Sequence, residues 1–140
     1  MQSKEKDNLI FARMFPEEDI YQSFHKLLEK HQVKTAIVLS GIGQIKDITL
    51  GFFKEKGDYL PEKMKGAFEL LSLSGNMSQQ NNTPDFHLHA TIADKDKKAF
   101  GGHLITGVVS ITLELVLLKT ELSVERRVEE ETGLQGLFLN

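Results

Sequence analysis

The chain has 140 residues, 40% apolar and 26% charged, with seventeen basic residues against twenty acidic ones. That composition belongs to a folded chain of ordinary domain size and excludes intrinsic disorder. A formal charge of −3 lacks the basic surplus of a solitary nucleic-acid binder, and the absence of cysteine removes disulfides, thiolate nucleophiles and cysteine metal sites together. Any metal must therefore be held by His, Asp, Glu or backbone oxygens.

The opening residues, MQSKEKDNLI, are too polar for a secretory apolar core. The longest apolar stretch, 108–118, is interrupted by Ser110, Thr112 and Glu114 and falls short of a membrane span. No membrane partner is expected, and the cytoplasm is the expected compartment. Residues 8–15 (NLIFARMF) read as a first strand. Pro16 and the acidic Glu17, Glu18 and Asp19 then suit the positive end of a helix, and Ile20, Phe24, Leu27 and Leu28 recur at helical spacing. The pattern predicts an amphipathic helix over 17–31, with His25 and His31 on its surface.

Strand signals follow. Residues 34–40 (KTAIVLS) and 45–53 form two apolar runs separated by a turn at Gly41-Ile42-Gly43, and Gly57-Asp58 marks another turn. A long strand is predicted over 66–77, a polar loop over 78–83, and strands over 85–93, 101–106 and 108–118. The sum is an α+β chain of one domain over 1–140: a mostly antiparallel sheet of about seven strands with one main helix near the N-terminus. The tail over 119–140 is charged through ELSVERRVEEE and then apolar at Leu134, Leu137, Phe138 and Leu139. It reads as a short helix and tail, docked on its own domain or packed across a subunit boundary.

Three of the five histidines fall between positions 87 and 103. His87 and His89 are two apart in a predicted strand, so both rings leave the same face. If the loop 94–97 returns the chain with Asp94 opposite Lys98, His89 lies directly across from His103, on that face. Cross-strand neighbours stand about 5 Å apart at Cβ, which brings three imidazoles to one point, a donor set suited to zinc or a similar divalent ion. A one-residue slip of register would separate them. Asp85 shares the face as a further ligand or outer acceptor. Gly101 and Gly102, just before His103, permit close approach of a backbone, ion or ligand and are candidate cofactor-binding positions.

Glu69 in GAFELLSL and Arg13 in LIFARMF are lone charges among apolar residues. They are either partners for one another, and candidate binding residues, or ordinary solvent-face positions. Gly41-Ile42-Gly43 lacks the third glycine and the following helix of a dinucleotide-binding turn, and no serine lies in a nucleophile-elbow sequence.

The ordered motifs Ala12-Arg13-Met14, Pro16-Glu17-Glu18, Leu39-Ser40-Gly41-Ile42-Gly43, 68–76 (FELLSLSGN), His87-Leu88-His89-Ala90 and Gly101-Gly102-His103-Leu104 strongly resemble one known family. This is the plants-and-prokaryotes-conserved (PPC) domain, found in plant AT-hook proteins and as stand-alone prokaryotic proteins. The resemblance covers about residues 7–118. It implies a compact α/β domain assembling as a homotrimer, with the histidine cluster as the suspected metal site of the prokaryotic form. Plant relatives contact DNA through Arg-Gly-Arg-Pro hooks outside the domain, and no such sequence occurs here. In the hexapeptide 66–71 (GAFELL), Ala67 stands where the plant form has arginine.

Three functions follow as expectations. The leading one is a trimeric binding module with a divalent-metal or small-ligand site at His87, His89 and His103. Another, by family kinship alone, is a regulator with DNA or transcription-factor partners. The last is a metal-dependent enzyme in which Glu69, if it reached a metal-bound water, would be the catalytic base.

Overall fold

Over residues 9–14, 87–92 and 113–117 buried apolar residues alternate with more exposed ones, which turns one face of the sheet toward a shared core. The computed structural model describes residues 1–80 and 83–139. Its elements in order are β1 (Gln2–Lys6), β2 (Leu9–Met14), α1 (Ile20–Lys30), β3 (Thr35–Glu55), β4 (Asp58–Gln80), β5 (Thr83–Ala93), β6 (Ala99–Thr120), β7 (Val124–Val128) and β8 (Gln135–Leu139). The sheet order is β1-β2-β6-β3-β4-β5, and β5 pairs with β6 as well, so β3, β4, β5 and β6 close into a ring. Every strand pair is antiparallel. Strand accounts for 72% of the described residues and helix for 8%, so the α+β expectation holds only as a sheet carrying one helix.

Inside the ring, Ile45, Ile48, Leu88, Ile92, Leu104 and Leu113 are fully or almost fully buried. The helix closes one side with Ile20, Phe24, Leu27 and Leu28. Burial of such side chains contributes roughly 1.5–3 kcal/mol each before chain entropy is counted. Phe86 of β5 packs against Phe24 and, edge to face, against Tyr21, whose hydroxyl donates to the Leu104 carbonyl. The inward side of β5 is thereby fastened to both α1 and β6, and its outward side is held at a fixed height above the core.

Several boundaries differ from the sequence reading, each for an identifiable reason. The helix begins at Ile20 rather than residue 17. Asp19 caps it by accepting from the Gln22 N–H at 2.9 Å, while Glu17 takes a positive φ of 69° and donates its N–H to the Val109 carbonyl. Residues 16–18 form a turn pinned to β6, and the acidic cluster precedes the first helical turn.

Gly41-Ile42-Gly43 is not a turn but the middle of a single bent β3. At Gly43 (φ 152°) a Cβ would stand 2.0 Å from the Thr112 carbonyl oxygen, so glycine there buys close contact with β6 instead of a chain reversal. Likewise 101–106 and 108–118 are one strand, β6, whose pairing with β3 shifts register at bulges. Lys56-Gly57 does turn the chain, as a two-residue hairpin between Glu55 and Asp58. Of the predicted loop 78–83, residues 78–80 belong to β4 and Thr83 opens β5, while 81 and 82 lie outside the described residues. His31 caps the helix C-terminus and bonds to Glu5 at 2.9 Å and to Ser3, clamping the unforeseen β1. The tail is a β-hairpin, β7–β8, not a helix. Gly133 (φ 75°) makes its turn, and the hairpin rests against β4.

Candidate metal centre

The loop after β5 sets the register of the site. Asp94 accepts from the Asp96 and Lys98 N–H groups through Oδ1, and its own N–H donates to the Lys98 carbonyl at 3.1 Å. That Asx-type turn fixes Asp94 opposite Lys98, and four residues back from Ala93 the pairing places His89 across from His103. The register is the one the sequence predicts. Leu88, Ala90 and Ile92 point into the core, so His87 and His89 must point out. On the same row, Gly51 of β3 lies next to His103. Because Gly51 has no side chain, the Tyr59 ring folds over its backbone and meets His103 edge to face at 6.4 Å between centroids.

The three imidazoles converge. Their ring centroids are 5.1, 5.4 and 5.5 Å apart, and one nitrogen from each lies within 4.8 Å of the others. His87 Nε2 and His89 Nε2 are 3.2 Å apart. Two ligands on a tetrahedral ion with bonds of about 2.0–2.1 Å stand about 3.3 Å apart, so this pair fits such an ion as it stands. Without an ion, the two nitrogens share one proton, one as donor and one as acceptor. With an ion, both lone pairs must face it and the ring protons move to Nδ1. Partial burial, then the charge of Arg126, holds His87 below the usual imidazole pKa, with Asp85 opposing. Partial burial, then the two neighbouring histidines, does the same to His103. Both rings are thus biased to the neutral form that metal ligation requires.

The triad floors a cavity of about 890 Å³ whose apolar wall includes Phe53, Tyr59, Ile105 and Leu134. Gly101 and Gly102 line the same floor. A Cβ on Gly102 would stand 2.9 Å from the Gly51 carbonyl oxygen, so it is the neighbouring backbone of β3 that comes close there. Gly75 (φ 144°) has a comparable role behind the site, since a Cβ there would meet the His87 carbonyl oxygen at 2.0 Å. Only glycine lets β4 support β5 under the first histidine.

Asp85 faces the cavity, but its partner is Arg126, with Nε 3.9 Å from the carboxylate. Arg126 comes from the C-terminal hairpin and was not anticipated. It is 3% exposed, donates to Asn76 Oδ1 and to the Gln135 carbonyl at 3.3 Å, and lines the cavity beside the histidines. Its local sequence, VERRVEEE, carries no sign of burial, which is imposed by Asn76 and Asp85 from distant strands.

Arg13 and Glu69 are not brought to the triad or to each other. Arg13 Nε donates to Thr112 Oγ1 at 3.1 Å, and its guanidinium lies over Phe15, 5.3 Å from the ring centroid. Glu69 accepts from Gln44 Nε2 at 2.9 Å, five positions along β4 from the residue that faces His89. Both are exposed strand residues, the plainer of the two readings.

Fold and site together define a class: a closed antiparallel sheet bearing a three-histidine cluster in a walled cavity on its outer surface. The chain belongs to the Plants and Prokaryotes Conserved (PCC) domain family, whose model matches residues 1–121. It is 33% identical over 130 residues to the bifunctional protein GlmU of Synechococcus sp. (strain JA-2-3B'a(2-13)); the match takes in 91% of this chain and 19% of that protein. The chain thus spans about a fifth of the length of the curated relatives it matches. A metal-containing protein from Archaeoglobus fulgidus is similar in structure with a TM-score of 0.84 and 27% identity, over 96% of this chain and 95% of that one. A candidate DNA-binding protein from Bacteroides thetaiotaomicron shares the fold with a TM-score of 0.91 and 24% identity, over 99% and 96%. No helix among the described residues is long and apolar enough to cross a membrane.

Proposed function

We propose that this chain is a divalent-metal-binding module whose ion, of the zinc type, is held by His87, His89 and His103. The observation that carries the reading is the convergence of three ligand nitrogens within 4.8 Å on rigid, paired strands. The metal-containing A. fulgidus relative supports it. A bound divalent ion would supply Lewis acidity at the position left open by three protein ligands. Asp85, held by Arg126, would act from the outer shell. Glu69 would have no part in it. The test is elemental analysis of protein purified without metal-affinity resin, alongside His87→Ala and His103→Ala. One ion per chain in the parent and none in either variant is the expected result. Equal metal in all three overturns the reading.

The module would work as a homotrimer. Phe11, 59% exposed, together with Leu39, Ile42 and Ile111, leaves large apolar side chains uncovered on β2, β3 and β6, the kind of surface that copies of a chain cover. Light scattering should return three copies for the parent and one for Phe11→Glu/Leu39→Glu. A second reading, association with DNA, takes its support from the neighbour described as a candidate DNA-binding protein. It requires salt-sensitive mobility shifts, and the chain's charge of −3 predicts none.

A further inference from the structure

The three ligands are neutral imidazoles, and the charge of an ion among them has to be balanced by something else. Among the described residues, Asp85 is the one carboxylate on the cavity lining, and it is matched by the buried guanidinium of Arg126. These two offset one another, so a divalent ion leaves the cavity with two positive charges and no protein anion to meet them. Arg126 also keeps one nitrogen without a hydrogen-bond acceptor. Its other nitrogens serve Asn76 and Gln135, whereas Nε is buried with no hydrogen-bond acceptor among the described residues.

The apolar part of the lining has the other character. Phe53, Tyr59, Ile105 and Leu134 come from β3, β4, β6 and the C-terminal hairpin, and Leu134 remains 40% exposed at the rim. A volume of about 890 Å³ is ample for a small organic molecule and generous for a water or an inorganic anion.

We infer that the cavity takes a small organic carboxylate with an aromatic or branched apolar body, its carboxylate on the histidine-bound ion and its body against Phe53, Tyr59 and Leu134. This rests on the metal reading above and adds to it the class of ligand. Inorganic anions would satisfy the charge and leave the apolar wall wet. Neutral aromatics would cover the wall and leave the charge unmet. Covering about 55 Å² of ring at roughly 25 cal/mol per Å² corresponds to a ten-fold gain in affinity.

The test uses the full chain loaded with Co²⁺, whose visible absorption reports on its ligands, titrated separately with benzoate, acetate and benzyl alcohol. Benzoate should change the spectrum saturably, at least ten-fold more tightly than acetate, and benzyl alcohol should leave it unaltered. Phe53→Ser/Leu134→Ser should still bind one Co²⁺, which also reports that it folds, and should bring benzoate to within about three-fold of acetate. Stoichiometric Co²⁺ with no response to either carboxylate, or with equal affinities for both in the parent, overturns the ligand inference and leaves the metal reading standing. Failure of the parent to take up Co²⁺ overturns the metal reading and this inference with it.

Discussion

Two hairpins wall the histidine cavity, and they are made by different means. The β5–β6 hairpin is locally determined: an Asx-type turn at Asp94 sets the register, and strict alternation puts Leu88 and Ile92 inside and His87 and His89 outside. The C-terminal hairpin has a weak local pattern and only a small apolar face. It is anchored through one buried side chain, Arg126, whose acceptors belong to β4 and to β8, with an aspartate on β5 for its charge. A site can thus have one wall that its own segment specifies and another that exists only because the first is already folded.

That contrast can be broken most severely at Leu88. Leu88→Ala empties a fully buried position beneath the triad and should cost about 2–5 kcal/mol, read from urea unfolding. A loss under 1 kcal/mol would mean that the inner side of β5 does not hold the outer side in place. Arg126→Ala comes next. It strips the buried anchor but leaves Asp85 able to reach water, so a loss of about 1–3 kcal/mol is expected, with Arg126→Lys failing to restore the forked contacts. Full stability in Arg126→Ala would show the hairpin to be held by other contacts.

A pH series sharpens the comparison further. His87 and His103 have folded-state pKa values below the ordinary 6.5, so the unfolded chain binds protons first as the solution is acidified. Their contribution to stability is therefore present above pH 6.5 and declines as pH falls through their folded values. The metal-free parent should show this shallow decline in thermal melts, and His87→Asn/His103→Asn should flatten it. An unchanged profile in that variant would assign the decline to other groups. The smallest effect belongs to the exposed pair: Glu69→Gln and Arg13→Met should each shift stability by no more than about 0.5 kcal/mol and should add in the double variant. Measurable coupling would contradict their separate partners, Gln44 and Thr112.

Much of the histidine cluster was legible in the sequence, because its three members lie within seventeen residues of chain and one turn relates them. Period-two spacing decides which face a histidine leaves, and turn chemistry decides what it faces. The glycines were harder to interpret. A Gly-Ile-Gly sequence suits a reversal or a close strand contact equally, and only the presence of Thr112 against Gly43 selects the second. Charge among apolar neighbours was equally ambiguous at Arg13 and Glu69, since an alternating strand exposes every second residue whatever its type. The buried charge is instead Arg126, in a stretch where solvated charges are the ordinary expectation.

By itself, then, the order of residues determined the amphipathic helix, the antiparallel pairing around Asp94 and the shared face of His87, His89 and His103, because each depends on contacts between neighbours in the chain. Tertiary structure decided that the strands close into a ring, that the tail is a hairpin and that Arg126 is driven into the cavity wall. Those outcomes depend on hydrogen-bond partners and buried area supplied by segments tens of residues away, which no local pattern records.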